Sequence, residues 1–129
     1  MSTETLIILL TFVLAMAYYY APSIFKAQRA TVTDLLGSRD NIPPAEGVME
    51  RRAERAMLNF KETLPWAIAF LILVQVTGDA NGTTALGGWV YLICRALYLP
   101  IYLMGTPYVR SLVWMGSMIG LIMVAVQLM

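Results

Sequence analysis

Four apolar runs decide what this chain can fold into. They cover roughly 5–25, 60–77, 86–104 and 107–128. Each is close to the 20 or so residues an α-helix needs to cross a bilayer at 1.5 Å per residue. In hydrocarbon the backbone has no water to bond, so such runs must satisfy their own amides as helices. The expected fold class is therefore all-α: an integral membrane four-helix bundle, formed as one domain over residues 1–129. The composition agrees, because 59% of the 129 residues are hydrophobic and only 13% are charged, too few to coat a soluble domain.

The first run is preceded by a single charge, Glu4, with no basic segment and no convincing cleavage site. It is expected to stay as a span and not to be removed as a signal peptide. A polar connection of about residues 26–59 follows, broken by Gly37, Pro43 and Pro44, with a long helical pattern starting near Glu46 and running to about Val76. Its first half is charged and its second apolar, so this helix enters the membrane from water. The TGDANGTT turn leads to the third run, which Gly87 and Gly88 open as expected turn residues. The very short GTP turn at Gly105–Pro107 makes the third and fourth helices antiparallel neighbours. Gly116 and Gly120 form a GxxxG on the fourth helix, a signal of close helix contact.

Basic residues near span ends set orientation. Lys26, Arg29, Arg39, Arg51, Arg52, Arg55 and Lys61 all lie along the first connection or its far end, while the N-terminal tail, the TGDANGTT turn and the C-terminal end have none. The long connection and the GTP turn are therefore expected to face the cytoplasm, with both termini outside. The short loops suit a bacterial inner membrane. No basic run interleaved with aromatics is present, so nucleic acid is not an expected partner. With no histidine and one cysteine, Cys94, neither a zinc site nor a disulfide framework is available, and no metal is expected.

The polar residues within the spans carry the functional information, because ionisable groups are costly in lipid and usually face a bundle interior or cavity. Arg52, Arg55, Asn59, Glu62 and Trp66 are spaced 3, 4, 3 and 4 apart, which places them within an arc of roughly 80° on one helix face. Tyr91, Arg95, Tyr98 and Tyr102 form a second stripe, and Arg110 and Trp114, with Ser111 beside them, a third. All three stripes meet in the half of the membrane next to the long connection. Arg51 and Arg52 are equally readable as anchors to lipid phosphates, and Glu62 with Arg95 as a structural ion pair. Glu62 stands alone at this level against Arg55, Arg95 and Arg110. Such an excess of guanidinium groups suits an anionic ligand carrying carboxylates, which arginine forks bind in pairs.

The segment Arg52-Ala-Glu-Arg55-Ala-Met-Leu-Asn59-Phe-Lys-Glu62-Thr-Leu-Pro65 resembles the second-helix signature of the membrane-associated proteins in eicosanoid and glutathione metabolism, the MAPEG family. Arg95-Ala-Leu-Tyr98-Leu-Pro-Ile-Tyr102 is similar to that family's third-helix pattern, and Thr106-Pro107-Tyr-Val-Arg110-Ser111-Leu-Val-Trp114 to its fourth. The resemblance covers nearly the whole chain. It implies a homotrimer with glutathione sites between subunits, open to the cytoplasm and lined by Arg52, Arg55, Asn59, Glu62, Arg95, Tyr98, Tyr102, Arg110, Ser111 and Trp114, with Arg29 a looser match. Arg110 and Ser111 would be catalytic, holding the glutathione thiol as thiolate. The partners implied are membrane lipids and a hydrophobic, electrophilic small-molecule substrate entering from lipid.

Two readings follow, a glutathione-dependent transferase or peroxidase and a non-catalytic lipid-binding or scaffold protein of the same fold. A small proton-coupled exporter is a distant third, since such proteins usually need a carboxylate inside the first span and none lies between Thr5 and Phe25.

Overall fold

The computed structural model describes residues 1–129 except 39, 41–44 and 46. The expected breaks at Pro43 and Pro44, the basic Arg39 and the helix start near Glu46 lie outside the described residues. Among the described residues the chain forms five helices: α1 (Thr3–Ala27), α2 (Val32–Leu36), α3 (Val48–Thr77), α4 (Gly82–Met104) and α5 (Pro107–Val126). All except α2 are long and apolar enough to cross a membrane. The short α2, closed by a reciprocal capping box between Thr31 and Asp34, sits within the α1–α3 connection and has no apolar period to announce it.

Local chemistry sets the helix ends. Ser2 caps α1 by accepting from the Thr5 amide, and Asn81 caps α4 by accepting from Thr83 and Thr84. Gly78 and Gly105 end α3 and α4 in the left-handed conformation, at φ 83° and 76°. Pro107 opens α5, where its missing N–H costs nothing. The α4–α5 turn is thus a glycine stop followed at once by a proline start.

Packing joins α4 to α5 most extensively, α1 to α3 next, and α3 to α4 across the middle. The α4–α5 seam depends on glycine. A Cβ on Gly120 would lie 2.6 Å from the Gly87 carbonyl oxygen and 2.7 Å from the Tyr91 nitrogen, and one on Gly87 would lie 2.7 Å from the Gly120 oxygen. Gly87 and Gly88 are therefore inside α4 as close-contact residues, not in the turn where the sequence reading put them. Without a hydrophobic drive between helices in lipid, this close backbone approach is what helix association relies on. Gly88 does the same toward α1, where Ile7 fills the space a Cβ would take.

The two ends of the bundle differ. At the end holding both termini and the α3–α4 turn, side chains tie the helices together. Ser2 and Thr5 both donate to Gln75 Oε1, at 2.6 and 2.8 Å. Asn81 donates to Gln127 Oε1 at 2.8 Å, and Thr84 lies 2.6 Å from the buried Glu4 carboxylate. The opposite end, beneath the long connection, carries the larger cavity. Gly120→Ala should lower thermal stability in detergent by about 1–3 kcal/mol, because both backbones must shift to admit the methyl. Gly82→Ala, where nothing lies within 4 Å of the added carbon, should change it by no more than about 0.5 kcal/mol.

Candidate functional site

The site is organised by a buried guanidinium. Arg95, on α4, is fully buried. Its Nη1 donates to Asn59 Oδ1 at 2.7 Å and its Nη2 to Thr63 Oγ1 at 2.9 Å, both on α3. Asn59 and Thr63 are four residues apart and so share the face that α3 turns toward α4. The rings of Tyr91 and Tyr98, one turn away on either side along α4, place their centroids 5.9 and 5.2 Å from the Arg95 Cζ. Tyr18 of α1 donates to the Arg95 carbonyl oxygen at 2.6 Å and stacks on Phe60 at 4.2 Å. Arg95 therefore joins α1, α3 and α4. Glu62, read from the sequence as its possible ion-pair partner, faces outward instead, because it sits about 100° round α3 from Thr63.

Beside this core lies a cavity of about 550 Å³ at the end of the bundle under the long connection. From α3 it is lined by Arg55, Leu58, Asn59 and Glu62, and from α4 by Tyr98 and Tyr102. Arg110, Ser111, Trp114 and Met115 of α5 complete it. Tyr102 stands between the two cavity arginines. Its hydroxyl accepts from Arg55 Nε at 3.1 Å, and its ring centroid lies 4.8 Å from the Arg110 Cζ. The hydroxyl side of the tyrosine thus fixes one guanidinium while its face holds the other. The Ser111 hydroxyl donates to the Pro107 carbonyl at 3.1 Å, one turn back in its own helix. Arg55, Glu62 and Ser111 are exposed, so the cavity opens on the side of the subunit, and Leu58, Trp114 and Met115 give it an apolar margin.

Eight of the residues singled out in the sequence thus meet around one space: Arg55, Asn59, Glu62, Tyr98, Tyr102, Arg110, Ser111 and Trp114. Three others are engaged elsewhere. Arg95 lies behind the wall, reaching the cavity through Asn59. Arg52 donates from Nη1 to the Leu103 carbonyl at 2.9 Å and packs over Gly105, capping the C-terminus of α4 with positive charge. Arg29 forms a two-pronged ion pair with the buried Glu50, at 2.7 and 2.9 Å, tying the end of α1 to the first turn of α3. Trp66 continues the α3 stripe but leans on Phe70 outside the cavity. Sequence reasoning missed Thr63 and Tyr18. Each is one more threonine or tyrosine in an apolar run until its neighbour across the helix interface is known.

Thr63→Val keeps the shape of the residue but removes the hydroxyl that Arg95 and Tyr91 both use. It should cost about 2–3 kcal/mol of stability, since it strands a charged donor in the core. Lys61→Ala, on the exposed side of the same helix turn, should be near neutral in the same detergent melt.

No curated protein and no solved structure matches the chain. The model of the MAPEG family matches residues 4–129, essentially from the first turn of α1 to the last residue. The four long helices, the α3 arginine stripe and the α5 Arg110-Ser111 pair all fall within that match, and the chain belongs to the MAPEG family.

Proposed function

We propose that the protein is a membrane-bound, glutathione-dependent transferase or peroxidase acting on lipophilic electrophiles. The family, which includes glutathione transferases and peroxidases, supports this reading. The observation that carries it is the three-helix cavity in which Arg55 and Arg110 flank Tyr102, with Glu62 as the one acid among its lining residues.

Glutathione fits the residues present. The cavity of about 550 Å³ lies within the range of roughly 300–1,000 Å³ usual for small-molecule sites. Arg55 offers a fork to a carboxylate, while Glu62 meets the ammonium and Asn59 a carbonyl of the peptide. When bound, glutathione supplies a thiol nucleophile. Arg110 stabilises the sulfur as thiolate, because nearby positive charge lowers a thiol's pKa into the working range. Ser111, once its hydroxyl turns away from the Pro107 carbonyl, donates a hydrogen bond to the same sulfur. Leu58, Trp114 and Met115 form the wall along which a hydrophobic substrate reaches it from lipid.

The cavity is open on its lateral side, and a second carboxylate of glutathione needs a further cation. A neighbouring subunit of a homotrimer would supply both wall and charge. This end faces the cytoplasm, with both termini on the other side, in keeping with the clustering of basic residues along the 26–59 connection. A bacterial inner membrane is the setting these features suit.

Adding glutathione to the detergent-purified protein should produce the ultraviolet difference absorbance of a thiolate. Arg110→Ala should abolish that band and lower conjugation of a lipophilic electrophile by on the order of a hundredfold. A folded oligomer with no thiolate band and a lipid in the cavity would replace this reading with that of a lipid-binding scaffold.

A further inference from the structure

Among the residues that line the cavity, Asn59 is the one that hydrogen-bonds the buried charge, which Tyr98 meets only with its ring face. The Asn59 Oδ1 accepts from Arg95 Nη1 at 2.7 Å, and among the described residues nothing takes its amide nitrogen. A guanidinium has five donors and no acceptor, so the oxygen of the Asn59 amide must face Arg95. The opposite orientation would set two donors against each other and leave a buried charge with one bond fewer. Thr63 cannot relieve it, because its hydroxyl already receives Arg95 Nη2 and lies within 3.2 Å of the Tyr91 hydroxyl. Arg95 cannot swing away either. It is fully buried between the Tyr91 and Tyr98 rings, and the carbonyl of its own residue is held by Tyr18.

An asparagine side chain ordinarily presents a donor or an acceptor as its ligand requires. Here that choice is removed. We infer that Arg95 is a positioning residue that locks Asn59 as an obligate donor into the cavity, making this stretch of the α3 wall selective for a hydrogen-bond acceptor of the ligand. A carboxylate or amide carbonyl seats against Asn59 and an ammonium or N–H is rejected there. Glu62, the next cavity residue along α3, has the opposite character, an acceptor only. The wall therefore discriminates the polarity of the ligand at two adjacent points. This inference rests on the proposed function only in taking glutathione as the ligand.

The test is Asn59→Asp, measured by thermal unfolding and by calorimetric titration with glutathione on the full chain in detergent. Aspartate keeps an oxygen toward Arg95 and gives its charge a counter-ion, so the melting temperature should equal or exceed that of the wild type. It replaces the donor facing the cavity with a negatively charged acceptor, so glutathione should bind about ten- to a hundredfold more weakly. A purely structural Arg95–Asn59 contact predicts unchanged binding at that preserved stability. Asn59→Asp that binds as tightly as the wild type overturns the inference, and so does one that melts well below it, since the Arg95 contact would then not be as described. A wild type that binds no glutathione overturns the proposed function as well, which separates the two failures.

Discussion

A guanidinium buried without a carboxylate constrains everything around it. Arginine keeps its charge, and removing a charge from water costs several kcal/mol unless its hydrogen bonds are replaced. Among the described residues Arg95 meets most of this requirement with neutral groups, the Asn59 carbonyl, the Thr63 hydroxyl and two tyrosine faces, while its buried Nε has no hydrogen-bond partner. These partners must hold their positions to within hydrogen-bonding distance, so α3 and α4 are fixed in register with each other. Tyr18 extends the constraint to α1. The wall of the cavity is in this sense the outer surface of one buried polar cluster, and its rigidity derives from the cost of leaving that charge unsatisfied.

The remaining helix is positioned by a different force. α5 reaches α4 through backbone contact at Gly87 and Gly120 near the end that holds the termini, where side-chain hydrogen bonds also link the helices. At the other end the two helices are joined by a tight glycine–proline turn, and Arg110 in the first turn of α5 lies against Tyr102.

The four spans were legible because length and hydropathy alone specify them in lipid. The stripes on α3, α4 and α5 were legible because spacings of three and four residues survive any packing arrangement that keeps the helices straight. The direction in which individual guanidinium groups reach was not legible. Arg52 and Arg55 occupy one face a single turn apart, yet Arg52 bends to the exposed carbonyls ending α4 while Arg55 stays in the cavity. A long flexible side chain goes to the nearest unsatisfied acceptor, and that acceptor belongs to another helix. Thr63 escaped for the same reason, as did Gly87 and Gly88, whose role depends on what α5 and α1 present to them. Arg29 carries no period at all, and only the fold shows that Glu50 lies opposite it.

Two properties combine in this subunit: a positively charged cavity organised from behind by Arg95, and an open apolar margin formed by Leu58, Trp114 and Met115. Together they suit a water-soluble anionic thiol meeting a lipid-soluble electrophile at one place. The most direct measurement is a cryo-electron microscopy structure of the protein in lipid nanodiscs with glutathione. The account predicts glutathione density among α3, α4 and α5, with its sulfur beside Arg110 and Ser111 and a carboxylate against Arg55. A cavity occupied by an acyl chain under saturating glutathione, or glutathione bound away from Arg110, would contradict it.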